Sequence, residues 1–166
     1  MRLAIVVLAV VAPFSSILCA QQAPSADSLH DSHSQMNERS EKGMGFSQTA
    51  TTHHFLLKSD GGAIQVEAND PKDAAARDSI RAHLTHIAHA FSSGDFDIPT
   101  FVHDTVPPGV PEMKRLKNKI SYTFEPTPNG GRVRIATADP AALAAIHKFL
   151  RFQIKEHQTN DPATFQ

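Results

Sequence analysis

The chain has 166 residues, with 16 Lys and Arg against 17 Asp and Glu, for a formal charge of −1 at pH 7. Near neutrality argues against a nucleic-acid binder, which needs a concentrated basic face. A single cysteine, Cys19, excludes an intrachain disulfide and a thiolate metal cluster, so packing must supply the stability.

At the N-terminus, Arg2, the apolar stretch Leu3 to Val11 and the segment Leu18-Cys19-Ala20 have the layout of a signal peptide over residues 1–20, with cleavage before Gln21. The apolar stretch is too short to span a bilayer. Leu18 does not suit a lipidation site, where a small residue precedes the cysteine. The expected product is an exported protein, periplasmic or secreted, with no membrane contact after cleavage. Residues 21–50 are rich in Gln, Ser, Ala, Asp, His and Met without a sustained period, and read as a flexible leader.

Residues 51–160 read as one α+β domain, followed by a tail over 161–166. The first strand alternates His53-Phe55-Leu57 with His54-Leu56. Ser59-Asp60-Gly61-Gly62 forms the turn, and Ile64-Val66-Ala68 alternates with Gln65-Glu67 on the return strand. Asp70 and Pro71 then suit a helix N-cap and first helical position. Ile80, Leu84, Ile87 and Phe91 form a narrow apolar stripe on that helix, which Gly94 ends. Four prolines (Pro99, Pro107, Pro108, Pro111) predict a semi-rigid loop over 95–111, and Glu112 to Asn118 a short helix.

From residue 120 the pattern recurs. Without a gap, a displacement of 69 positions lays Phe55 on Phe124, Gly61-Gly62 on Gly130-Gly131, Ile64 on Val133 and Asp70-Pro71 on Asp139-Pro140. Two ββα units sharing one core predict a four-stranded, mostly antiparallel sheet with two long helices on one face. The second helix carries Leu143, Ile146 and Leu150, and Phe149, Phe152 and Ile154 widen its apolar surface beyond what one sheet covers. The opposite sheet face, with His54, Leu56, Gln65, Glu67, Thr123, Glu125, Arg132 and Arg134, reads as solvated.

Ten histidines are the chemical signal. In the leader, His30 and His33 with Met36 and Met44 nearby combine imidazole and thioether, a set that suits copper. On the first helix, His83 and His86 share a flank one turn apart, while His89 points away. The repeat sets His53 against Tyr122, a core-facing position, and His103 lies in the proline-rich stretch. His53, His83 and His103, with His86 as an alternate, are therefore the candidate ligands for copper or zinc. The plainer reading makes them core-edge histidines. His157 suits the negative end of the second helix, and His147 flanks that helix's stripe.

The sequence has no G-x-S-x-G, P-loop, H-E-x-x-H or G-x-G-x-x-G pattern, and its carboxylate pairs fall in loops or across a solvated hairpin. The expectation leans away from an enzyme.

Thr51-Thr52-His53, Asp60-Gly61-Gly62, Ile80-Arg81-Ala82-His83-Leu84, Gly94-Asp95-Phe96, His103, Pro108-Gly109, Asp139-Pro140 and Ala145-Ile146-His147 follow one another as in a group of small exported bacterial proteins. The chain resembles that group from about Met44 to Asp161. Many of its members carry the label aspartate carbamoyltransferase. That enzyme is a far longer cytosolic protein of two α/β domains, with a Ser-Thr-Arg-Thr segment for carbamoyl phosphate that this chain lacks, so the activity is not expected here. The group often has a Met where this chain has Pro107, and a Trp where it has Phe149.

Three functions stay open at this level. The first is an exported accessory protein that binds a transition metal through histidines without catalysis. The second is an interaction module, docking a periplasmic partner or a second copy through the wide apolar face of the second helix or through the charged open sheet face. The third is a small hydrolase or lyase using His103.

Overall fold

The computed structural model describes the backbone of residues 26–165 and the side chains of residues 34–165. The expected signal peptide and the side chains of His30 and His33 lie outside the described residues. The fold is α+β. Strands β1 (Thr51–Lys58), β2 (Gly61–Ala68), β3 (Ile120–Pro126) and β4 (Gly130–Thr137) form one antiparallel sheet in the order β1-β2-β4-β3.

The duplication is visible in the register. Phe55 pairs with Ile64 in the first hairpin, and their counterparts Phe124 and Val133 pair in the second. At the centre of the sheet Ile64 faces Val133, its own counterpart, so a pseudo-twofold axis passes between β2 and β4. Helices α2 (Ala74–Ser93) and α5 (Pro140–His157) cover one face. Each packs mainly on the hairpin of the other unit, α2 on β3 and β4 and α5 on β1 and β2. Their stripes, with Phe55, Leu57, Val66, Val133 and Ile135 of the sheet, form a single buried core.

The two hairpin turns are the two-residue loops Ser59-Asp60 and Pro128-Asn129. The glycine pairs expected in the turns instead open the return strands. A Cβ on Gly61 would fall on the carbonyl oxygen of Ile135, and one on Gly130 on that of Val66. Gly61 also has φ +143, a conformation side chains rarely adopt. The glycines therefore mark where the central strands approach each other.

Helix α2 starts three residues later than expected. Its N-cap is Asp73, which accepts from the Ala76 N–H, whereas Asp70 accepts from the Lys72 N–H in the preceding turn. Asp139 caps α5 as expected, with Pro140 at its first position. The two caps lie 66 positions apart, so helix residues correspond at 66 and strand residues at 69.

The stretch 97–103, expected as part of a loop, is helical and forms α3 (Asp97–His103). The short helix expected over Glu112 to Asn118 is α4 (Val110–Arg115), which starts two residues earlier and is followed by a 3₁₀ turn at Lys117–Lys119. Pro99 and Pro111 lie in the first turns of α3 and α4, where proline costs no helical hydrogen bond. The expected leader contains α1 (Ala26–Met44), which packs on α3. Met36 is buried there, and Arg39 donates to the Val102 carbonyl at 2.9 Å. The wide apolar surface of α5 is covered within the chain. Phe149 is buried against Phe91 and Phe96, and Phe152 lies against His103. In the tail, Asp161 accepts from the edge-strand N–H of Phe55 and pairs with His54 Nδ1 at 2.9 Å.

Candidate functional site

Equivalent positions of the two units can be compared across the pseudo-twofold axis. Ile80 corresponds to Ile146 and Leu84 to Leu150, and all four are buried. Arg81 corresponds to His147. Arg81 donates to the Thr127 and Gly130 carbonyls at 2.7 and 2.9 Å, and His147 Nε2 donates to the Lys58 and Gly61 carbonyls at 3.0 Å each. These four carbonyls are themselves equivalent. Different residues thus perform one task, pinning each hairpin turn to a helix. His147 is therefore a structural clamp.

One end of the core breaks the symmetry. Over the second hairpin lies an aromatic cluster. Phe91 meets Tyr122 at 5.7 Å and Phe149 at 6.0 Å between ring centroids, and Phe96 stacks on Phe91 at 4.3 Å. Over the first hairpin the counterparts of Phe91, Tyr122, Phe149 and Ile87 are His157, His53, His83 and Gln153. Three aromatic residues and an isoleucine on one side correspond to three imidazoles and an amide on the other. Two residues from outside the repeat occupy the place that Phe96 takes in the first cluster. Phe46 lies against His53 and His83, with ring centroids at 6.0 and 5.5 Å, and His103 of α3 lies against His157 at 5.1 Å.

Side chains of this region line a cavity of about 60 Å³ with Met44, Ile98, Val102 and the core side of the sheet. His53 and His157 also face a polar surface cleft of Gln48, Thr49, Thr51, Thr52, Gln158 and Thr159. They stand at the boundary between a wet cleft and a dry cavity.

Three polar atoms in this lining are buried without a hydrogen-bond partner: His53 Nε2, His103 Nδ1 and Gln153 Nε2. An unsatisfied buried group of this kind costs about 1–3 kcal/mol. Gln153 Oε1 meets His103 Nε2 at 2.9 Å. The amide oxygen accepts, so Nε2 carries the proton and the lone pair is left on Nδ1. Burial, then His83 and His54, push the His53 imidazole down to about 4. Burial, then His86, does the same to His83, also to about 4. Burial lowers His103 too, against the opposing pull of Gln153 and Glu156. At neutral pH these rings are neutral, the form in which imidazole is a ligand or a base.

Of the candidate ligands, His53, His83 and His103 line the same cavity, while His86 is exposed on the surface of α2. The ring contacts run from His83 through Phe46 to His53, then to His157 and His103. His157, whose place at the end of α5 suits the helix dipole, is also the ring that touches both His53 and His103. Alignment of the helices by their caps and by Ile80-Leu84 with Ile146-Leu150 would have placed His157 on Phe91. The ungapped displacement hid this. Among the described residues, no three His, Cys, Asp or Glu converge as a group that could hold a metal ion. His103 Nε2 meets an amide oxygen, not a hydroxyl or carboxylate, which gives a hydrolase reading no nucleophile or orienting acid at that atom.

In comparisons with known proteins, the chain matches no family model, no curated protein and no solved structure.

Proposed function

We propose that this is an exported binding protein, not a catalyst, and that its ligand is a transition metal ion held by imidazoles of the cluster His53, His103 and His157, with His83 behind Phe46. One observation carries this reading. A duplicated core keeps its apolar packing at Ile80, Leu84, Ile146 and Leu150, yet replaces an aromatic cluster by imidazoles, two of which bury a nitrogen without a hydrogen-bond partner, His53 Nε2 and His103 Nδ1. Stability alone does not favour that exchange, because buried unpaired nitrogens cost free energy. A ligand that takes their lone pairs would recover the cost. Export is supported by the pattern of Arg2, Leu3 to Val11 and Leu18-Cys19-Ala20. The likeness to small exported bacterial proteins fits the same reading.

The test is equilibrium dialysis of the purified protein against copper and zinc, with the retained metal measured by mass spectrometry. About one equivalent should be retained at dissociation constants tighter than about 0.1 mM. His157→Phe, which copies the residue of the other unit, should lose it. Retention unchanged in His157→Phe and in a His53→Ala/His103→Ala variant would overturn the assignment. For export, N-terminal sequencing of protein recovered outside the cytoplasm should begin at Gln21.

A further inference from the structure

Resting on that reading, we infer that the ion this cluster takes is Cu(I), bound by a pair of imidazoles around His157 with the Met44 thioether beside them. The first ground is coordination number. Zinc asks for a tetrahedral set of nitrogen, sulfur and oxygen ligands, and among the described residues no three His, Cys, Asp or Glu converge. Cu(I) is satisfied by two imidazoles, or by two with a soft third ligand, and thioether sulfur favours it over harder ions. With metal–nitrogen bonds near 2.0 Å, two imidazoles sharing an ion have ring centroids about 4.5–6.5 Å apart. The centroid separations fall in that span, at 5.8 Å for His53–His157 with the rings 14° from parallel and at 5.1 Å for His103–His157 with the rings nearly perpendicular.

The second ground is charge. The cavity lining contains no carboxylate. The charged groups acting on His103 are Glu156 and Arg39, of opposite sign, and neither lines the cavity. A cation there is not neutralised by the protein. The solvation cost of burying an ion rises with the square of its charge, so a dication meets about four times the penalty of a monocation. The third ground is orientation. The Gln153 oxygen on His103 Nε2 leaves Nδ1 as donor, as carbonyls commonly do behind metal-bound imidazoles. Met44 comes from the end of α1, so α1 both closes the cavity and supplies its sulfur.

The experiment is an anaerobic titration with Cu(I) against a chromophoric Cu(I) chelator, beside a Zn(II) titration, followed by X-ray absorption at the copper edge. One equivalent of Cu(I) should bind at least about 100-fold tighter than Zn(II), with an edge typical of two- or three-coordinate Cu(I). His157→Phe should abolish binding. Met44→Leu, which keeps the volume and the fold, should remove a sulfur scatterer and weaken Cu(I) by about 10-fold while leaving any Zn(II) binding unchanged. Zn(II) bound as tightly as Cu(I), and lost in His157→Phe, would overturn this inference and leave the broader proposal standing. Retention of neither ion would overturn both.

Discussion

The two ends of the core are one piece of architecture filled in two ways. Over the second hairpin, Phe91, Phe96, Tyr122 and Phe149 close an aromatic cluster whose one side-chain polar atom, the Tyr122 hydroxyl, is buried without a partner. Over the first, His157, His53 and His83 stand at the positions of Phe91, Tyr122 and Phe149, and Phe46 and His103 complete the packing. The scaffold is the same, so the difference separates what the fold requires from what it tolerates. Positions that hold the units together are preserved in kind, as with Ile80 and Ile146, or in task, as with Arg81 and His147. Positions at the first hairpin's end have exchanged apolar area for lone pairs.

The comparison is broken most severely where both halves depend on the same contact. Gly61→Ala and Gly130→Ala should each cost roughly 4 kcal/mol or more, because the added carbon falls on a backbone carbonyl of the facing strand. Urea denaturation of the two variants should give similar losses. If one substitution were tolerated and the other not, the pseudo-twofold relation of the central strands would be wrong.

Acid should distinguish the two ends. The His53 imidazole titrates near 4 in the folded chain and near 6.5 in an unfolded one. Between those values the unfolded state binds the extra proton, so stability rises with pH through the window. It is fully present above about pH 6.5 and lost as pH falls toward 4, by roughly 3 kcal/mol for His53. His83 acts in the same direction over the same window. At the other end, burial raises the Tyr122 hydroxyl, which stays neutral through this window, and its contribution is lost only above about pH 10. Denaturation of the metal-free protein at a series of pH values should show the acid slope, and His53→Tyr should flatten it. A slope unaltered in His53→Tyr would mean that His53 is not the buried neutral group described.

The paired clamps give a finer contrast. His147→Ala removes a buried ring and leaves the Lys58 and Gly61 carbonyls without that donor, for roughly 2–3 kcal/mol. Arg81→Ala acts on the equivalent Thr127 and Gly130 carbonyls from a half-buried position, where water replaces part of the interaction, for roughly 1–2 kcal/mol. Thermal unfolding should rank them in that order. Equal and negligible losses would remove the shared task.

Much of this was legible from residues. Strand alternation at Phe55-Leu57 and Ile64-Val66, the stripe Ile80-Leu84-Ile87-Phe91 and the repeat predicted the sheet, α2 and α5. The placement of His53 against Tyr122 marked one site residue as core-facing. Other elements were hidden for physical reasons. Prolines signal a loop, but Pro99 and Pro111 sit in first turns where no helical N–H is needed. Helix α1 is polar overall, so its burial of Met36 rests on tertiary contact with α3 and leaves little periodic trace. His157 was missed because the three-residue late start of α2 shifts helix correspondence from 69 to 66, a change that an ungapped comparison cannot register.

The smallest expected effect is the sharpest, because its sign differs from that of ordinary core substitutions. Gln153→Ile and His157→Phe give the imidazole end the residues of its twin, Ile87 and Phe91. Each replaces a polar side chain of the cavity lining by an apolar one of suitable size. Gln153→Ile removes the orphaned Nε2 but also the oxygen that meets His103, so its gain is partly offset. His157→Phe sets a phenyl ring between Phe55 and the His103 ring, which lie at 5.2 and 5.1 Å from the present imidazole. Together they should stabilise the metal-free protein by about 1 kcal/mol, a rise of about 2–4 °C in Tm, while abolishing metal retention. The reverse change on the other side, Phe91→His, should destabilise and confer no retention, because Phe96 leaves no unpartnered imidazole nitrogen opposite it. Stabilisation with loss of binding would show directly that this end of the core gives up stability for a ligand. A destabilised double variant that still retains metal would show that the imidazoles are there for packing alone.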